Sequence, residues 1–264
     1  MASLMEVYQI RYVGNDEVKP IDQIGTIKLI SDYHVQYLYN VQEVMPWNPS
    51  IKDRDPIMVN VGSPTPRSAS LYIEFDLFRS AYKGTIMVDW EETFSGCVSS
   101  WDERIESRDG LGDVVVYFGL MPNATVAEVE VKLLDTSACE DVYGVISASN
   151  SAASSLPICQ SLLFLAEADN GVYVDDDDGI IPLSKSRVAV PLDTTLSLQI
   201  VLNCDGEDYS AILEFDAEKE GEFIQLDDPE APTIQVKVTW DADRASINRT
   251  IKKCTRGLRN YILR

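Results

Sequence analysis

The stretch Leu71-Tyr72-Ile73-Glu74-Phe75-Asp76-Leu77 puts an apolar or aromatic side chain at every odd position, with Glu74 and Asp76 between them. Successive side chains of a strand point to opposite faces, so this period of two predicts a strand with one buried and one wet face. Similar short runs, bounded by Gly, Pro, Asn and Asp, recur from one end of the chain to the other. They predict strands at 5–13, 25–31, 34–40, 57–61, 70–78, 83–89, 113–120, 126–134, 143–149, 160–166, 186–190, 197–203, 211–217 and 233–240. No stretch of the body sustains a 3.6-residue stripe long enough for a core helix, which excludes helical bundles and alternating α/β folds. The expected fold is all-β: one or two antiparallel β-sandwiches built from a dozen or more strands.

A chain of 264 residues is long enough for one large core or two small ones. The turn Pro122-Asn123, just before the strand predicted at Val126, is the place where two halves would meet. Residues 1–243 form the expected β body, and 244–264 form a tail of different character. Ile247, Ile251, Cys254, Leu258 and Tyr261 follow spacings of four, three, four and three with bases between them, a basic amphipathic helix pattern interrupted by Gly257. A short helix or a disordered extension is expected there.

Charge divides along the same line. The formal charge is −21, with 22 bases and 43 acids. Seven of the bases and none of the acids lie in 244–264, so the body sets 15 bases against all 43 acids. Nucleic-acid binding depends on Lys and Arg displacing counterions, so no nucleic-acid partner is expected of the body. The tail bases Arg249, Lys252, Lys253, Arg256 and Arg259 are candidates for contacting a partner, an anionic surface or the acidic body itself. No run approaches the roughly 18 apolar residues of a membrane span, and the amino end has no basic region followed by an apolar core. The expectation is a cytoplasmic protein without a transmembrane segment. The five cysteines, Cys97, Cys139, Cys159, Cys204 and Cys254, are odd in number and widely spaced. They are expected to be free thiols in a reducing compartment, which leaves the sequons at Asn123 and Asn248 as chance matches.

The most chemically suggestive stretch is Asp175-Asp176-Asp177-Asp178-Gly179. With Gly179 set as the glycine of an EF-hand loop, Val174 falls first and Lys185 twelfth, so the ligand pattern fails at both ends. Four adjacent acids on an extended chain also point alternately to opposite sides. Asp178-Gly179 instead predicts a tight turn, because Gly tolerates positive φ and Asp hydrogen-bonds locally. Acidic loops converging at one end of a sandwich remain the only candidate metal site, with Asp175, Asp176, Asp177, Asp178, Asp205 and Asp208 as ligands for calcium. No cofactor is expected otherwise. The single histidine, His34, has no nucleophile motif around it, and neither a G-x-G-x-x-G nor a P-loop occurs. Zinc hydrolysis built on histidines is excluded by their number. Trp47 and Trp101 fall in predicted loops, where base stacking is conceivable, whereas Trp90 and Trp240 close strand-like runs and belong to core or rim.

Several of these stretches together carry a family resemblance: Asp55-Pro56 before a strand, the Gly62-x-Pro64 loop, the Leu71–Leu77 strand, and the D-G-x-I-P-L-S run from Asp178 to Ser184. The chain, over 5–240, resembles a grass-expanded plant family of unknown function. That domain also occurs downstream of a ribosome-inactivating domain in the sixty-kilodalton jasmonate-induced protein of barley. The resemblance implies an all-β module associated with stress, jasmonate or defence responses. It does not extend to N-glycosylase activity, because no Glu-Ala-x-x-Arg helix is present. The basic tail lies beyond the part that matches.

These readings converge on a non-enzymatic interaction module with a protein partner, its oligomeric state not set by the sequence. A calcium- or ligand-binding sandwich using the acidic loops is the alternative. A carboxylate-pair hydrolase is a second, and it requires a cleft with two carboxyls about 5–10 Å apart.

Overall fold

The computed structural model describes residues 3–14, 25–32, 35–41, 64–66, 71–77, 82–88, 99–106, 112–134, 141–151, 160–174, 178–204, 206–217, 223–226 and 233–241. They form four antiparallel sheets of four strands each. The first orders β4 (Thr65–Pro66), β1 (Leu4–Gly14), β8 (Gly112–Met121) and β7 (Ser99–Glu106). The second orders β3 (Val35–Val41), β2 (Gly25–Ser31), β5 (Leu71–Leu77) and β6 (Tyr82–Met87). Their inner faces share one core, in which Ile27, Leu29, Ile73, Phe75, Val114 and Val116 are buried. β5 runs over the seven residues whose alternation predicts it, with Leu71, Ile73, Phe75 and Leu77 buried and the residues between them half-exposed.

The second half repeats the plan. One sheet orders β12 (Arg187–Pro191), β9 (Ala124–Leu134), β16 (Thr233–Trp240) and β15 (Phe223–Leu226). The other orders β11 (Ser161–Ala166), β10 (Val142–Asn150), β13 (Thr195–Cys204) and β14 (Glu207–Asp216). Val129, Val131, Ile146, Leu198, Ile200 and Val236 are among the residues of their common core. Among the described residues the only helical element is a 3-10 turn at Ala168–Asn170.

Most expected strands are found within a few residues of their predicted ends, and two of the differences have local causes. Ser99–Glu106, read from the sequence as a loop around Trp101, is β7, an edge strand paired along its length with β8. Its run of Asp102, Glu103 and Arg104 hides the alternation, and pairing with a strongly apolar neighbour supplies what pattern does not. β14 begins at Glu207 rather than Ala211, because Cys204 sits directly opposite Glu207 across a short loop whose Gly206 has φ 91°. Left-handed backbone of that kind closes tight hairpins. Two further strands, the two-residue β4 and the four-residue β15 at Phe223–Leu226 that pairs with β16, carry no sequence signal. The predicted strand at 57–61, the single histidine and the tail 242–264 lie outside the described residues.

The two halves join through the tight turn Pro122-Asn123, which carries the chain from β8 in one sheet to β9 in another, with Asn123 at φ 54°. Beside it Leu4, Tyr8, Met121, Ala124, Val126 and Ala189 pack into a small cluster that belongs to neither main core. Gly119 belongs to the same seam: a methyl group there would overlap the Tyr8 phenol. The seam also buries a charged pair. Glu6 of β1 and Lys185, which precedes β12, form an ion pair with side chains 2% and 1% exposed. Ser161 of β11 donates to the Glu6 carboxylate, and the Ala189 backbone N–H donates to its other oxygen at 2.6 Å. The Lys185 ammonium also donates to the Val7 carbonyl at 3.1 Å and to Ser161 Oγ at 2.9 Å. One carboxylate from the first half is thus held by three elements of the second. Burial pushes the Lys185 ammonium below its usual range, and Glu6 opposes that shift through charge and hydrogen bonding.

Cys204, at the end of β13, is disulfide-bonded. This corrects the expectation that all five cysteines are free thiols. Wide spacing in sequence is a poor guide to pairing, because sheets bring distant residues to within bridging distance.

Two outcomes follow from this architecture. Lys185→Met strands the Glu6 carboxylate in the seam and should cost about 3–5 kcal/mol of unfolding free energy in urea. Adding Glu6→Gln, which keeps an acceptor for the Ala189 N–H, should recover much of that loss; no recovery would show that the seam depends on the lysine stem rather than on charge pairing. Denatured but unreduced protein should titrate at most three free thiols, since one disulfide takes two of the five cysteines. Five free thiols would remove the bridge.

Candidate functional site

The Asp178-Gly179 turn forms as the sequence indicates. Asp178 Oδ1 accepts a hydrogen bond from the Ile180 N–H at 3.0 Å, and Gly179 has φ 64°. The turn feeds an extended segment that runs along β9. Leu133 N–H donates to the Gly179 carbonyl at 2.8 Å, Ile181 N–H to the Val131 carbonyl at 2.9 Å, and Val129 N–H to the Ser186 carbonyl at 2.7 Å. Two residues of β9 therefore span five of the segment, and Pro182 to Lys185 leave the ladder. Pro182 has no N–H to pair, which suits it to such an excursion. At its far side the Ser184 N–H and hydroxyl both bond the Leu163 carbonyl of β11, at 2.8 and 2.9 Å. The excursion crosses from one sheet of the sandwich to the other and delivers Lys185 to Glu6. The D-G-x-I-P-L-S run is therefore the local machinery of the seam.

Outside this excursion lies a groove of about 390 Å³ lined by Glu128, Glu130, Pro182, Leu183, Lys237 and Thr239 with their neighbours. Glu128 and Glu130 lie two apart on β9, so their side chains share one face about 7 Å apart. That spacing alone meets the requirement of a carboxylate-pair hydrolase. General-acid chemistry needs in addition one carboxyl enclosed by apolar groups. Glu128 is exposed, and Glu130 is 3.8 Å from the Lys132 ammonium and opposite Lys237 across the ladder. Both glutamates thus sit among cations and water.

Of the candidate calcium ligands, Asp178 caps the turn, and Asp208 accepts from Asn203 Nδ2 at 2.7 Å while Asn203 Oδ1 accepts from the Gly206 N–H at 3.0 Å. These bonds fasten the β13–β14 hairpin. Asp175, Asp176, Asp177 and Asp205 lie outside the described residues, as do Arg249, Lys252, Lys253, Arg256 and Arg259 of the tail and the tryptophans at 47 and 90. Among the described residues no group of three or more His, Cys, Asp or Glu is placed to hold a metal ion. Trp240 is buried at the end of β16, as a strand-closing tryptophan should be.

A surface with a different character covers the outer face of the β3-β2-β5-β6 sheet. The register places Val35 opposite Ile30, Ile30 opposite Tyr72, and Tyr72 opposite Met87, one apolar row across all four strands. Its ends are open to solvent, with Val35 51% and Met87 81% exposed. Four strands at about 4.8 Å spacing make the row about 14 Å long. The next row sets Tyr37, Lys28, Glu74 and Thr85 side by side. There Lys28 Nζ lies 2.7 Å from Glu74 Oε1 and 5.9 Å from the centre of the Tyr37 ring. The hydrogen bond that Lys28 donates to Glu74 is the main cause that raises the Lys28 pKa above its usual value. Lys83 and Asp76 pair at 3.6 Å one row further on. Two bases and two acids thus cancel on this face of a strongly acidic chain, and cross-strand pairs hold the platform rigid. The sequence indicated its wet side but not the row, since Val35, Ile30, Tyr72 and Met87 meet only through strand register.

The family described as a domain of unknown function (DUF6598) matches residues 4–238. No curated protein sequence matches the chain significantly. Among solved structures, human GIVD cytosolic phospholipase A2 aligns at 12% identity with a TM-score of 0.28, covering 91% of this chain and 33% of that one. The C2A and C2B domains of extended-synaptotagmin 2 align at 8% identity with a TM-score of 0.26, covering 90% of each chain. The present chain spans about a third of the phospholipase it aligns with. Scores of this size carry no functional argument.

Gly179 is the residue on which the excursion turns. A methyl group there would overlap the Leu133 carbonyl oxygen, at a backbone conformation that disfavours any side chain. Gly179→Ala should therefore cost about 1–3 kcal/mol in thermal or urea unfolding. Asp178→Ala, which removes one exposed hydrogen bond, should cost about 0.5–1 kcal/mol. Equal effects of the two would mean that the turn does not hold the excursion.

Proposed function

This chain belongs to the DUF6598 family, and we propose that it is a non-enzymatic interaction module whose docking surface is the outer face of the β3-β2-β5-β6 sheet. The observation that carries this reading is the exposed row Val35–Ile30–Tyr72–Met87. An apolar row open to water costs free energy unless something covers it, and such patches mark interaction sites. The balanced charges beside it select the partner's chemistry. A polyanion gains nothing from a face whose two lysines are already paired with acids, whereas a protein surface with an aliphatic or aromatic ridge and its own paired charges is complementary. The rigid platform keeps the ordering cost of binding low.

The sequence resemblance suggests the setting, a plant stress, jasmonate or defence response, as an adaptor without N-glycosylase activity. The cytoplasmic setting rested in part on free thiols. The disulfide at Cys204 favours a more oxidising milieu for at least part of the protein's life.

The test compares capture from a plant extract by the wild-type chain, by Met87→Glu, and by Thr85→Glu, which adds the same charge one row away from the apolar residues. A protein that binds stoichiometrically when purified should bind Met87→Glu at least about tenfold more weakly, the loss expected for one buried apolar anchor. Thr85→Glu should change affinity much less. Identical binding by wild type and Met87→Glu would remove this face from the function.

A further inference from the structure

The four sheets differ in charge in a way the chain as a whole does not reveal. The β4-β1-β8-β7 sheet carries Arg11 and Arg104 among its acids, the β3-β2-β5-β6 sheet carries Lys28 and Lys83, and the β12-β9-β16-β15 sheet carries Lys132, Arg187 and Lys237. The β11-β10-β13-β14 sheet carries no base in any strand. Its acids, Glu207, Asp208, Glu214 and Asp216, all lie on β14. The centre of its outer face is uncharged: Leu165, Val145 and Val201 stand side by side in one row, and Ile212 stands opposite Gln199 in the next. Ile212 is 70% and Val201 44% exposed. An apolar centre with an acidic border invites a segment that is apolar on one side and basic on the other.

A second copy of the chain meets that description poorly. Antiparallel pairing of two β14 edges about Ile212 would set Asp208 against Asp216, and like charges directly opposite destabilise a ladder. Residues 244–264 meet it well. They hold seven bases and no acid, and their apolar residues recur at helical spacing from Ile247 to Tyr261. They also start from the right place. The Asp241 N–H donates to the Val126 carbonyl at 3.0 Å, at the end of the sandwich where the Leu192 N–H bonds the Asn123 carbonyl. β13 starts at that end, and Thr195 stands opposite Asp216. The acids Glu214 and Asp216 therefore lie at the same end of the sandwich as the point from which the tail departs. A chain of five residues, the number in 242–246, would reach about 16 Å if extended, more than the roughly 10 Å between packed sheets. Ten residues at helical rise, the number in 247–256, would cover about 15 Å of a face whose ten-residue strands run about 33 Å.

We infer that residues 244–264 fold back in cis as a basic amphipathic segment on the outer face of the β11-β10-β13-β14 sheet. Ile247, Ile251 and Cys254 cover Val145, Val201 and Ile212, and the bases face the acids of β14. The contact joins exposed opposite charges, so it weakens as salt screens them.

The test uses the full-length chain. Zero-length carbodiimide coupling should join Lys252 or Lys253 to Glu207, Asp208, Glu214 or Asp216 within a monomer, and about 1 M salt should abolish the product. Limited trypsin digestion of the tail should run about tenfold faster in Ile212→Arg, which puts a base at the apolar centre of an exposed face, and severalfold faster in Glu214→Lys. Both substituted positions are exposed, and unchanged melting of the body would confirm that each variant folds. Coupling of Lys252 and Lys253 only to other sheets or only between copies, or tail cleavage at the same rate in wild type and both variants, would overturn the inference.

Discussion

The seam between the two sandwiches depends on one buried carboxylate. Glu6 is 2% exposed and is met by the Lys185 ammonium, the Ser161 hydroxyl and the Ala189 N–H. Each partner comes from a different element of the second half. Two charges taken out of water cost several kcal/mol apiece unless they are fully paired and hydrogen-bonded. The arrangement satisfies that condition only in one relative placement of β1, β11, β12 and the excursion before β12. An apolar seam of the same area would hold the halves together with less discrimination, since apolar contact is non-directional. The ion pair is better understood as fixing the geometry than as adding net stability.

That requirement explains the odd course of the chain between Gly179 and Ser186. A straight edge strand along β9 would leave Lys185 at the sheet surface. The excursion at Pro182 carries it instead across the sandwich to β11, where Leu163 holds Ser184, and from there into the seam. The turn at Asp178-Gly179 is the start of this path. The aspartate of the described turn serves the backbone, and so does Asp208 at the β13–β14 hairpin. Among the described residues the deeply buried charges, Glu6 and Lys185, are committed to structure, and the described surface has other properties to offer: an uncharged apolar row on one sheet, and on another an apolar centre bordered by acids alone. The two faces belong to different halves of the molecule.

The all-β class, the wet and dry sides of β5 and the turn at Asp178-Gly179 were legible in the sequence, because each is set by neighbours within a few residues. Period-two alternation reports burial of one face directly, and Asp-Gly reports a turn through local backbone preference. β7 was not legible, since its charged run around Asp102–Arg104 conceals the period and only pairing with β8 makes it a strand. Composition identified Glu6 and Lys185 merely as two of many charges, and no local rule marks them as buried. The row Val35–Ile30–Tyr72–Met87 and the absence of bases from the β11-β10-β13-β14 sheet are properties of strand order, which a linear reading cannot assemble. The sequence by itself determined which residues turn inward along each strand, because that depends on a two-residue period. Tertiary structure alone decided which strands became neighbours, and so where a carboxylate 179 residues from its lysine would find it, because only chain folding can satisfy a buried charge with partners drawn from distant parts of the sequence.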